Sequence, residues 1–181
     1  FDEANALLDE IVEGKLLKAS GVVGVFPAAT SGDDIIIYSD ESRKEIKSKF
    51  FQLRNQEKKD DGVPNLCLSD FIAPVGAKND WAGCFAVTVG HGADELAEKY
   101  RSAGDDFKAI MVKIIADRLA EAFAELLHKK VRSEIWAYSP VEDLTLQQIL
   151  SERYSGIRPA PGYPACPDHR ENGPHQGGDH H

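Results

Sequence analysis

The order of elements along the chain predicts an α+β domain. A helical stretch opens the sequence, a group of β-branched and aromatic runs follows, and the second half reads as helix, with one long stretch at 106–136 that contains neither Pro nor Gly. Strands and helices are segregated rather than alternating, which argues against a doubly wound parallel sheet.

Each element rests on its own signal. Residues 2–13 place Ala6, Leu7, Leu8, Ile11 and Val12 near helical spacing, with Asp2 and Glu3 at the end where the helix dipole favours acids and Gly14 as the stop. GVVGVFPA (21–28) and DIIIYSD (34–40) flank the turn cluster TSGD and predict a hairpin. Arg43 to Leu53 is expected to form a third strand running on into a helical turn, and 55–65 a polar loop. WAGCFAVTVG (81–90) reads as a buried strand, GHGAD (90–94) as the turn into a short helix at 92–103. In the long run, Ile110, Ile114, Leu119, Phe123, Leu126, Val131 and Ile135 approximate one helical stripe, expected to pack against the sheet. Thr145 is a candidate cap for a last short helix ending near Arg153.

Composition narrows the function classes. With 181 residues and 42% hydrophobic content, the chain can build one domain with a real core. A net charge of −9 without a basic patch disfavours nucleic acid. No apolar run is long enough for a membrane span, and no signal-peptide shape opens the chain. The helix-like opening suggests a start inside a larger protein. Cys67, Cys84 and Cys166 are too few and too scattered for a disulfide framework, and fit a reducing, cytoplasmic setting.

Several candidate sites compete. Asp117, Glu121, Glu125 and His128 share a face of the long helix. Glu125 and His128 form a Glu-x-x-His pair, but a di-metal bundle needs two such pairs and further glutamates, so these two residues are expected on a solvated face. Glu121, flanked by Leu119, Ala120, Ala122 and Phe123, is expected near the buried border, where a carboxylate needs a partner or a cationic ligand. Cys67 and Cys84 read as core, and Cys166 lacks a positioned base. His169, His175, His180 and His181 lie in a tail with nothing to bury.

The stretch SGIRPAPGYPACPDH (155–169) stands apart. Prolines 159, 161, 164 and 167 each fix φ and push the preceding residue to extended geometry, so the segment is expected to be a pre-ordered extended ribbon with Gly162 as its hinge. Arg158 can hold a carboxylate or phosphate in a bidentate fork, and Tyr163 offers a ring and a hydroxyl. A stiff linker remains the competing reading.

GIRPAPGYPACPDH, together with MVKIIADRLAEAFAELLHKKVR (111–132), VVGVFPA and DDIIIYSDE, closely resembles the activation domain of cobalamin-dependent methionine synthase. The resemblance covers residues 1–169, expected to be truncated at both ends relative to the family, and leaves 170–181 as a disordered tail, partly an expression remnant. It implies a C-shaped single domain with a twisted antiparallel sheet flanked by helices. It also implies an S-adenosylmethionine-binding reactivation domain of a methyltransferase, one that positions the methyl donor for reductive methylation of cobalamin and does not turn over alone. By the motif match, Arg158 holds the ligand carboxylate, backbone around Ala160 and Gly162 meets the adenine, Tyr163 lines the site and Glu121 suits the ammonium group. No catalytic or metal-binding residue is implied. Cobalamin is held by a partner module, zinc belongs to an absent homocysteine module, and flavodoxin or a flavoprotein reductase supplies the electron. The alternative is a degenerate interaction module that docks to the cobalamin-binding partner without binding the ligand.

Overall fold

The computed structural model describes residues 2–167 and has the expected α+β organisation. Strands β1 (Lys18–Ser31), β2 (Asp34–Tyr38), β3 (Ile46–Phe50) and β4 (Asp80–His91) form one sheet in the order β3-β2-β1-β4. β1 and β2 are the expected antiparallel hairpin. Ser31 pairs with Asp34 across a two-residue turn, and Gly32 takes φ +62°, a sign that such turns assign to glycine. The helical turn expected after β3 does not form. The Asn55 N–H instead donates to the Leu66 carbonyl at 2.9 Å, and Arg54 Nη1 to the Asn65 carbonyl at 2.8 Å, closing residues 55–65 into a loop. By residue contacts the chain divides into two compact units, Phe1–Val23 with Phe85–Arg153, and Gly24–Cys84 with Tyr154 onward.

In the second of these units, β2 is buried on both faces. Alternation sends Ile35 and Ile37 to one side, where they meet Ala28 with Phe26, Phe50, Leu68 and Ile72, and sends Ile36 and Tyr38 to the other side with Ala29. A 3-10 turn (Leu68–Phe71) and the segment after it cover this core. Thr30 secures that cover, its N–H donating to the Ala73 carbonyl and its carbonyl accepting from Val75 N–H, both at 3.0 Å.

The other unit is mainly helical, with α1 (Asp2–Gly14), α2 (Ala93–Ser102), α3 (Asp106–Lys130) and α4 (Leu146–Leu150). Leu7 and Ile11 of α1, Leu96 and Ala97 of α2, and Ala109, Val112, Ile115 and Ala116 of α3 form its core. Gly92, ahead of α2, is required twice over: its φ is +90°, and a Cβ there would sit 2.8 Å from the Leu16 carbonyl oxygen. Asp105 caps α3 by accepting from Lys108 N–H at 2.9 Å, and Thr145 caps α4 in a capping box with Gln148.

Two expectations about this unit are corrected. Ile110, Ile114, Leu126 and Ile135, assigned to the buried stripe, are exposed. The core face of α3 is carried instead by Ala109, Val112, Ile115 and Ala116, which cluster with Leu7 and Ile11 of α1 and Leu96 and Ala97 of α2. Its first half thus packs on helices; only further along does it meet a strand, where Phe123 and Leu127 lie over Gly21 of β1. β4 is also less buried than its apolar run suggests, with Val89 buried and Cys84 exposed.

The long helix also ends earlier than expected. At Val131–Ile135 the ladder widens to a π-turn, with the Trp136 N–H donating to the Val131 carbonyl at 2.9 Å. This turn accompanies the burial of Arg132, whose side chain is 0% exposed and bonds both carboxylate oxygens of Glu142 at 2.6 Å. Its Nη1 lies 2.7 Å from Nδ1 of buried His128, and since a guanidinium only donates, Nδ1 is the acceptor. Glu142→Gln removes the carboxylate charge bonded twice to this buried guanidinium and is expected to lower stability by about 3–5 kcal/mol in urea denaturation at pH 7. Arg132 holds the Glu142 carboxyl below its usual 4.5. A depressed folded-state value means this contribution is complete above pH 4.5 and is lost as pH falls through the folded value. The variant is therefore expected to lose part of the wild-type acid sensitivity below pH 4.5.

Candidate functional site

The proline-rich segment folds back on itself instead of running as an extended ribbon. Ala160 to Tyr163 form a turn closed by the Tyr163 N–H to the Ala160 carbonyl at 3.0 Å. Pro161 occupies its second position and Gly162, at φ +95°, its third, the residue pattern of a type II turn. A second turn follows with Pro164 in the same place, closed by Cys166 N–H to the Tyr163 carbonyl at 2.8 Å. The Gly162 N–H donates to the Cys166 carbonyl at 2.8 Å and locks the two turns together. The prolines serve here at turn positions that want φ near −65°, which is why stiffness and reversal of direction coexist. Tyr163 is 51% exposed; Arg158 and Ala160 are half-buried and Gly162 is exposed.

This double turn is tethered to its own unit. The Ala165 carbonyl accepts from the Leu68 N–H at 2.8 Å, at the start of the 3-10 turn. Arg54 stands behind that turn. It reaches the two carboxylate oxygens of Asp70 at 2.6 and 2.8 Å, Asp33 Oδ1 at 2.5 Å and the Asn65 carbonyl. Asp70 Oδ2 also accepts from the Cys67 N–H at 2.8 Å. The Arg54 guanidinium holds the Asp70 carboxyl below the usual range, and Asp70 and Asp33 push the Arg54 value up. Nothing in the spacing of residues 33, 54 and 70 announces this clasp, since its partners are 16 and 21 positions away.

Arg158, Ala160, Gly162 and Tyr163 are brought together on this loop, whereas Glu121 lies on α3 in the other unit. Glu121 is exposed rather than at a buried border, and pairs with Arg118 one turn earlier at 2.8 Å. His128 and Glu125 are not on a solvated face: His128 is 4% exposed, its Nδ1 engaged by Arg132 and its ring stacked near Phe85, while Glu125 is half-buried. Among the described residues no group of three or more His, Cys, Asp or Glu is placed to hold a metal ion, and no helix is long and apolar enough to cross a membrane. Cys67 is buried as expected, and Cys166 Sγ faces Gln52 Oε1 at 3.8 Å. The tail histidines at 169, 175, 180 and 181 lie outside the described residues.

The fold defines an α+β domain in which a helical cluster accompanies a small sheet, and the proline-pinned loop is its most individual feature. A sequence model of the vitamin B12 dependent methionine synthase activation domain matches residues 1–174, and the chain belongs to that family. It is also similar to a solved structure described as "Crystal Structure of the MetH Reactivation Domain bound to AdoHcy", at 50% identity and a TM-score of 0.86 over 94% of this chain. The match takes in 53% of that relative, so this chain spans about half its length.

Gly162→Ala places a Cβ where φ is +95° and is expected to destabilise the protein by about 1–2 kcal/mol in urea denaturation. Gly162→Asn, a residue this turn position tolerates, is expected to lose less.

Proposed function

We propose that this chain is the S-adenosylmethionine-binding reactivation module of a cobalamin-dependent methionine synthase. One observation carries the reading: the similar structure, half identical over nearly the whole chain, is described as bound to AdoHcy. S-adenosylhomocysteine is S-adenosylmethionine without its sulfonium methyl, so a site for one presents the same carboxylate, ammonium and adenosine contacts to the other. Arg158 forks the ligand carboxylate, the backbone of Ala160 and Gly162 meets the adenine, and Tyr163 contributes its exposed ring and hydroxyl.

Methyl transfer from a sulfonium needs no acid or base. The carbon–sulfur bond breaks as the acceptor's electron pair forms the new bond to carbon, and a neutral thioether leaves. The residues of this chain therefore bind and orient the donor, and catalysis comes from position. Cobalamin, carried by another module of a cytoplasmic protein, supplies the nucleophile, with flavodoxin or a flavoprotein reductase as electron donor. Zinc has no part in this module.

Calorimetry tests the reading. The chain is expected to bind S-adenosylmethionine and S-adenosylhomocysteine, and Arg158→Ala to weaken both by about 10–100-fold, as loss of a charge-assisted fork does. Equal affinities for wild type and Arg158→Ala would displace the site from this loop, and no binding heat with either protein would favour an interaction module without ligand.

A further inference from the structure

We propose that Arg54 is a positioning residue for the loop that carries Arg158, Ala160 and Tyr163, acting through the Leu68–Phe71 turn and the hydrogen bond from Leu68 N–H to the Ala165 carbonyl. Its effect on ligand affinity rests on the proposed function; its effect on the order of the loop does not.

The contacts form a continuous path. Arg54 fixes Asp70 by both carboxylate oxygens, and Asp70 in turn holds the Cys67 N–H. Cys67 is fully buried, with Sγ 3.8 Å from the Asp33 carbonyl, next to the carboxylate that Arg54 also grips. The turn begins at Leu68, and the first N–H groups of a helical turn have no partner inside it. The Leu68 N–H is given to Ala165. Ala165 sits within the second proline turn, which the bond from Gly162 N–H to Cys166 ties to the first. A shift of the 3-10 turn is thus passed on through hydrogen bonds to Ala160 and Tyr163, not absorbed by slack chain. An exposed single ion pair would be too weak for this role, but Arg54 is 33% exposed and makes a bidentate fork within a four-contact network. A loop held in its binding shape binds more tightly because less ordering accompanies binding.

Two substitutions isolate the link. Leu68→Pro deletes the N–H at a position where proline suits the first turn of a helix, and Cys67, at φ −127° and ψ 151°, already has the geometry that precedes proline. Leu68→Ala keeps the N–H and removes only the side chain that packs on the β2 core. Amide hydrogen exchange is read at Gly162, Tyr163 and Cys166, with the β2 amides as reference. Leu68→Pro and Arg54→Met are expected to speed exchange in the loop by about tenfold over Leu68→Ala with β2 unchanged, and Arg54→Lys, which keeps charge but not the fork, to fall between. Dissociation constants for S-adenosylhomocysteine are expected to rise about three- to tenfold in the same order. Loop exchange in Leu68→Pro equal to that in Leu68→Ala, or β2 amides accelerating in step with the loop, would overturn the positioning role. Wild-type protein that bound no ligand would overturn the proposed function instead, while loop exchange would still decide the part played by Arg54.

Discussion

One guanidinium organises the irregular half of the sheet-bearing unit. Residues 51–79 contain no strand and only one 3-10 turn, so their backbone groups lack a regular ladder. They must still cover Ile35 and Ile37, and burying unpaired peptide groups would cost more than the contact gains. Arg54 resolves this with one planar group whose several donors reach the β1–β2 turn at Asp33, the loop carbonyl at Asn65 and the 3-10 turn at Asp70. A lysine in its place would offer a single point of charge and could not fix three segments in register.

The helical unit solves a different problem with a similar device. α3 must stop and release the chain toward α4, yet its last residues are good helix formers with no proline or glycine. The buried Arg132, bonded to Glu142 and beside His128, sets that boundary instead. Taking both charges out of water costs several kcal/mol each, and the close bidentate geometry with Glu142 offsets that loss only for one arrangement of the segment 131–142. The ion pair is therefore better read as a specifier of geometry than as a net source of stability.

What the sequence made legible follows from the range of each signal. The hairpin across TSGD, the cap at Thr145 and the turn at Gly92 are local rules, and all appear where those rules place them, while the cap at Asp105 follows the same rule and went unread. The core face of α3 departs from the stripe of large aliphatics because Ala109 and Ala116 help to build it, while Ile110 and Ile114 remain exposed. The proline segment turns back rather than running extended, since proline favours turn positions as readily as extended chain and only Gly162 in the next place signals the reversal. Arg54 with Asp33 and Asp70, and Arg132 with Glu142, join residues far apart in sequence, and no periodicity encodes such pairs. The loop's tie to Leu68 is a backbone bond, invisible in side-chain chemistry.

The titration pattern bears on what kind of function this architecture suits. Groups with shifted protonation commonly mark catalytic sites, because acid–base chemistry needs them. Here Arg54 lowers Asp70, Arg132 lowers Glu142 and the Tyr100 hydroxyl lowers Glu10, while burial, and then the hydrogen bond to Glu10, raises Tyr100 to about 12. Asp70, Glu142, Glu10 and Tyr100 each take part in a hydrogen bond that joins one part of a unit to another. On the proposed reading this is the expected division of labour. Transfer of a methyl group from a sulfonium moves no proton, so ionisable residues are released for holding the framework. The demand falls on geometry, because a donor carbon misplaced by about 1 Å forfeits much of the gain from proximity. Two proline turns, a glycine at positive φ and a backbone tether meet that demand with little side-chain chemistry, and the arginine that secures the tether stands one step behind them.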